Sequence, residues 1–223
     1  MTGPPGAAPP FLLGTGAAMR RTGPEDAPAV LCLNGGIKRA RPGDWSTSVD
    51  WLVRRLAPER PRLAFYEVRY RIRSWRHLDG CIDDARAALD VLGRRGGQPV
   101  ALLGYSMGGA VSLAVAGHPS VAAFIGLAPW LPEEIGAEGL AGRRAAVIHG
   151  SIDGRPFGVS PAESRRGVER MRALGIPATY HLIRGATHAI ALPGPRGIVI
   201  PLPRAGEWRR LVAAEVDRFS AAA

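Results

Sequence analysis

One serine in this sequence stands among glycines, in Gly104-Tyr105-Ser106-Met107-Gly108-Gly109. It follows a short apolar run, Pro99 to Leu103, and precedes a stretch of small helix-forming residues, Ala110 to Ala116. A strand that turns at once into a helix brings two backbones close together, and a side chain at 104 or 108 would collide there. Such a turn lifts Ser106 Oγ clear of the strand. It also aims the Met107 N–H, at the start of a helix, toward any neighbouring oxygen that gains negative charge. The chemistry on offer is a nucleophilic hydroxyl with an anion-stabilising donor beside it. The plainer alternative is a glycine-rich turn.

A serine hydroxyl is a poor nucleophile until a base takes its proton. There are five histidines. His188, in Gly185-Ala186-Thr187-His188, lies in a loop just after the last apolar run and is the candidate base. His181 lies within that run, and His118 lies at the far end of the helix after the serine. His77 precedes a helix with no partner signal, and His149 ends a strand just ahead of an acidic loop. The base in turn needs a carboxylate to fix its tautomer and to stabilise the imidazolium. Asp153, in His149-Gly150-Ser151-Ile152-Asp153, is the candidate acid. A turn residue is the alternative reading of Asp153, and Glu133 and Glu134 are the fallback acids. A second donor to a developing oxyanion fits the loop Asn34-Gly35-Gly36-Ile37, with the Gly36 N–H preferred and Ile37 the near miss.

These residues must be held by regular elements. Apolar runs of strand length recur with helical patterns between them. Ala29–Leu33, Leu63–Val68, Pro99–Leu103, Val121–Leu127, Ala145–His149 and Thr179–Ile183 read as strands. Trp45–Leu56, Asp79–Leu92, Ser164–Leu174 and Trp208–Phe219 read as amphipathic helices. This alternation predicts an α/β fold, a three-layer α/β/α sandwich around a mostly parallel sheet of about six strands. In such sheets ligand groups collect beyond the carboxyl ends of the strands. Asn34-Gly35-Gly36, Ser106, Pro129-Trp130, Asp153 and His188 all follow strands.

Composition narrows the class. The chain has 223 residues, enough for one domain, and 46% are hydrophobic, enough for a buried sheet. No apolar run approaches the roughly 20 residues of a membrane helix. The net charge of +10 invites a nucleic-acid reading. The basic residues are almost all Arg, however, with Lys38 the only lysine, and they are scattered rather than massed. Nucleic acid is therefore not the expected partner. Cys32 and Cys81 have no Cys or His at ligand spacing and read as buried reduced thiols in a cytoplasmic protein, with a disulfide between them the alternative. Residues 1–28 read as a disordered or extended tail lacking a secretory pattern, with Met19 an alternative start, and residues 29–223 as the catalytic domain.

Taken together, the LNGG, GYSMGG, HGSID and GATH segments resemble the α/β-hydrolase superfamily, over about Val30 to Phe219. The order Ser, Asp, His along the chain matches that fold. Asp83-Asp84-Ala85-Arg86 and the helix before the serine are similar to small dienelactone-hydrolase-like and esterase-like members. Those members usually carry His where Asn34 stands, which implies altered hydrogen bonding in that loop with activity retained. The run from Pro129 to Arg144 is too short for a lid domain, so the site should be open.

The resemblance implies a serine hydrolase without cofactor or metal. It would cleave a small-molecule carboxylic ester, thioester or lactone through an acyl-enzyme on Ser106, with Asp153 and His188 completing the catalytic set. Ile37, Tyr105, Met107, Trp130 and Leu131 would form an apolar wall. Arg39, Arg41, Arg71, Arg73 and Arg155 could favour an anionic substrate or could form a solvated rim. An acyltransferase or peptidase on the same scaffold is the alternative enzyme reading, and a hydrolase-like binding protein without catalysis is the alternative from another class.

Overall fold

The computed structural model describes residues 6–95, 98–154 and 158–222. An eight-stranded sheet forms the middle layer. Its strands are β1 (Phe11–Leu12), β2 (Ala18–Thr22), β3 (Ala29–Leu33), β4 (Ala64–Arg69), β5 (Val100–Tyr105), β6 (Val121–Leu127), β7 (Arg144–Gly150) and β8 (Ala178–Ile183). The helices are α1 (Thr47–Leu56), α2 (Leu78–Gly93), α3 (Met107–Val115), α4 (Pro161–Ala173) and α5 (Ala205–Ser220). The strand order is β1-β2-β4-β3-β5-β6-β7-β8, with β1 and β2 antiparallel and the rest parallel. From β3 the chain leaves through α1 to β4 on one side, then returns through α2 to β5 on the other. The carboxyl ends of β3 and β5 thus flank the point where the winding direction changes, the usual place for a ligand crevice.

The period-2 alternation of the strands explains the three layers. Leu31 and Leu33 pack with Leu102, Phe124 and Val147 under α2, α3 and α4. Val30 and Cys32 point the other way, with Ala101, Leu103, Ile125 and Ile148, onto α1 and α5. Helix stripes complete each layer: Cys81, Ala85 and Leu89 of α2 on one face, Trp208, Val212 and Phe219 of α5 on the other. Each such fully buried large side chain contributes about 1.5–3 kcal/mol relative to exposure. Among the described residues no helix is long and apolar enough to cross a membrane. The connection from Leu127 to Arg144 carries one short 3₁₀ turn, Glu138–Leu140, and no lid.

Two expectations need correction. The sheet has eight strands rather than six, and the chain ahead of Ala29 is not merely a tail. β1 and β2 form an antiparallel hairpin on the edge of the sheet, and Met19 is wholly buried. The sequence of β2, Ala-Met-Arg-Arg-Thr, reads as polar because Arg20 breaks its apolar pattern. Arg20 is nonetheless only 2% exposed. It donates from Nε and Nη2 to the two carboxylate oxygens of Glu67 on β4, each at 2.8 Å, and from Nη2 to Asp50 on α1 at 2.6 Å. A small two-stranded unit, β9 (Ala191–Pro193) with β10 (Val199–Pro201), was also hidden by its prolines. It follows His188 and lies against α1.

Candidate active site

The turn at Ser106 is as sharp as its glycines suggest. Ser106 has φ 54° and ψ −119°, a left-handed region that a non-glycine residue enters only under constraint. Backbone bonds supply that constraint: Ser106 N–H donates to Leu127 O at 3.0 Å, and Ser106 O accepts from Trp130 N–H at 2.9 Å. A Cβ at Gly104 would come within 2.5 Å of Gly108 O, and one at Gly108 would run into Leu33 O. Met107 opens α3, so its N–H has no intrahelical acceptor.

The structure brings Asp153 and His188 together. His188 Nδ1–H donates to Asp153 Oδ2 at 2.6 Å, across a carboxylate whose side chain is 1% exposed. Burial pushes the Asp153 carboxyl up, but hydrogen bonds from His149 and His188, with the favourable electrostatics of both rings, outweigh it and hold it below the usual range. The two loops are tied to each other: Gly185 N–H donates to Ser151 Oγ at 2.9 Å and Ile152 N–H to Ala186 O at 3.1 Å. Ser48 of α1 anchors the chain after His188, its Oγ accepting from Ile190 and Ala191 N–H. The Tyr105 ring lies 5.3 Å from that of His188, centroid to centroid, and burial raises its hydroxyl to about 12.

Ser106 and His188 open onto one cleft of about 670 Å³. No hydrogen bond joins Ser106 Oγ to His188 here; such bonds commonly tighten only when substrate is bound. Gly36 lines the same cleft, wedged between Met107 and Trp75, where a side chain would strike both. Asn34 donates from Nδ2 to Asp44 O at 3.0 Å and so braces the loop. Glu133 and Glu134, the fallback acids, do not line the cleft.

Of the expected apolar wall, Tyr105, Met107 and Trp130 line the cleft, but Ile37 and Leu131 do not. Leu131 turns into the core, 6% exposed, against Gly167 of α4. Ile37 accepts the Trp75 N–H through its carbonyl, and the indole of Trp75 takes the place beside Gly36. Trp75, Ser46, Val159 and Glu163 were not foreseen as lining residues. They come from loops or from first helical turns, where no periodicity reports direction. Among the described arginines only Arg73 lines the cleft. Arg71 is drawn away by Asp84, at 2.7 Å, and Arg155 lies outside the described residues. Among the described residues no group of three or more His, Cys, Asp or Glu side chains is arranged to hold a metal ion.

No model of a known family matches the sequence. No curated protein matches it either. Solved structures do. An α/β-hydrolase enzyme from a Medee basin deep-sea metagenome library superposes with a TM-score of 0.69 at 16% identity, over 97% of this chain and 99% of that one. A serine hydrolase without a lid from Xanthomonas campestris gives 0.62 at 21% identity, over 83% and 87%. A dienelactone-hydrolase-like promiscuous phosphotriesterase from metagenomic libraries gives 0.64 at 20%, over 94% and 96%. The fold is therefore the α/β-hydrolase fold in a lidless form.

Proposed function

We propose that this protein is a serine hydrolase that cleaves a carboxylic ester, thioester or lactone through an acyl-enzyme on Ser106. The observation that carries the reading is one cleft onto which a strained serine and a carboxylate-held imidazole both open. In the first step His188 Nε2 takes the Ser106 proton as Oγ attacks the carbonyl carbon. The N–H groups of Gly36 and Met107 receive the oxyanion, and His188 returns the proton to the departing alkoxide. Water then repeats the sequence and releases the acid. An acyltransferase or peptidase would use the same steps with another acceptor or leaving group.

Arg73 supports a substrate that carries an anionic group. Its side chain is 15% exposed, Nε is buried without a partner, and the nearest carboxylate, exposed Asp44, stands 4.0 Å away. Burial, only partly offset by Asp44, lowers its pKa. A guanidinium carries five donors, and leaving a buried one such as Nε–H unmet is costly unless a ligand arrives. Labelling with a fluorophosphonate probe, then a panel of p-nitrophenyl esters and lactones, tests the reading. Ser106 should take the probe. A folded protein that ignores it, with Ser106→Ala turning over esters as fast as the wild type, would falsify the proposal.

A further inference from the structure

The proposed mechanism uses one side of Asp153. His149, the last residue but one of β7, occupies the other. It is wholly buried, and its Nε2 stands 2.9 Å from Asp153 Oδ2 and 2.9 Å from Val159 O. A carbonyl and a carboxylate can only accept, so Nε2 carries a proton and donates to both. The other ring nitrogen, Nδ1, stands 2.5 Å from Ser164 Oγ on α4. With Nδ1 unprotonated, the Ser164 hydroxyl donates to it, and every polar atom of the buried ring is matched. Both imidazoles thus converge on one oxygen, Asp153 Oδ2, at 2.6 and 2.9 Å. On the far side of the carboxylate the backbone at Gly158 is so close to Oδ1 that a side chain there would strike it.

We infer that His149 is a positioning residue for the catalytic acid: oriented by Ser164, it grips Asp153 Oδ2 from behind and shares that oxygen's negative charge with His188. The inference rests on the hydrolase reading above. A carboxylate that gives all its charge to one imidazolium binds that imidazolium more tightly. A second N–H donor on the same oxygen moderates this hold, and burial makes the moderation larger because no water competes. The described charged and titratable groups around the cluster lie on α4, β5 and β8. Tyr180 of β8 and Arg165 of α4 stack 5.4 Å apart beyond Ser164, and Glu163 of α4 accepts the Ser160 N–H in a capping box. Tyr105 of β5 lies on the His188 side.

The test compares kcat/KM against pH for wild type, His149→Leu and His149→Gln. Glutamine can present an N–H where His149 Nε2 stands; leucine cannot. His149→Leu should lose about ten- to a hundredfold in kcat. Its acidic limb should move upward by about half a pH unit or more. His149→Gln should bring the limb back toward the wild-type position. A folded His149→Leu with the limb unmoved would overturn the inference, as would a His149→Gln whose limb lies with that of the leucine variant. Imidazole ¹⁵N spectra of the wild type add a readout that needs no variant to fold. His149 should hold its proton on Nε2 across the pH range in which turnover is measured, and an Nδ1–H form there would equally overturn the inference. Wild-type protein with the expected tautomer but no ester turnover would strike the hydrolase reading alone.

Discussion

Two of the buried polar networks lie toward opposite edges of the sheet, and they are built for different ends. Near β2 and β4, Arg20 is bonded to Glu67 and Asp50, Asp50 is bonded in turn to Arg54 at 2.6 Å, and Arg20 stacks 4.4 Å above the Trp45 ring. Beyond β7 and β8, Ser164, His149, Asp153 and His188 run in a chain whose last member is 20% exposed in the cleft. The first network is closed to the cleft: none of its members lines it, although its outermost member, Arg54, is 26% exposed. Burial pulls the Arg20 guanidinium toward neutrality, but Glu67 and Asp50 more than offset it and raise its pKa. The second is open at one end, where His188 Nε2 is left for a substrate or for Ser106. A closed network can only fasten elements together, whereas an open one can pass a proton.

This contrast can be broken in five ways, from the largest effect to the smallest. Ser106→Ala should lower kcat by about 10⁴- to 10⁶-fold while leaving the urea midpoint close to that of the wild type, because alanine keeps the same backbone bonds and the same φ. Asp153→Asn should cost about 10⁴-fold in kcat, through loss of the tautomer that leaves His188 Nε2 free. In the closed network the outcomes should invert. Glu67→Ala leaves a buried guanidinium short of a partner and should cost about 3–5 kcal/mol of stability by denaturant titration, with kcat of the folded fraction nearly unchanged.

Arg73→Met should reduce kcat/KM for a hemisuccinate ester about tenfold or more and leave the matched neutral butyrate ester within about twofold. Equal losses on both would remove Arg73 from substrate recognition. The smallest effect concerns acid. Because the Asp153 carboxyl is held below its usual range, its stabilising contribution is complete above about pH 4 and is lost as pH falls through the lowered folded value. Denaturant midpoints of wild type and Asp153→Asn should therefore converge below about pH 4. A gap that stays constant to pH 2 would contradict the sign.

Much of this was legible in the sequence, and the reasons are local. Ser106 could be found because a strand-to-helix turn demands small residues at fixed offsets, and Gly104 and Gly108 meet that demand against Gly108 O and Leu33 O. Strands β3, β5, β6 and β7 could be found because burial on both faces needs continuous apolar runs, and α2 and α5 because a single buried stripe imposes the helical period. His188 and Asp153 followed from lying just past strand ends, which parallel topology gathers at one edge.

What tertiary structure alone decided concerns polar groups whose partners are remote in sequence. Arg20 marks β2 as polar until Glu67 and Asp50, far along the chain, take up its charge. His149 looked like a strand-end residue beside an acidic loop; only the packing of α4 against β7 supplies the Ser164 hydroxyl that orients its ring. Leu131 and Trp130 are neighbours, yet one enters the core and the other the cleft. Local propensity is set by each residue and its near neighbours. Whether a charge is paired, or a loop side chain faces inward, depends on which distant surface arrives beside it.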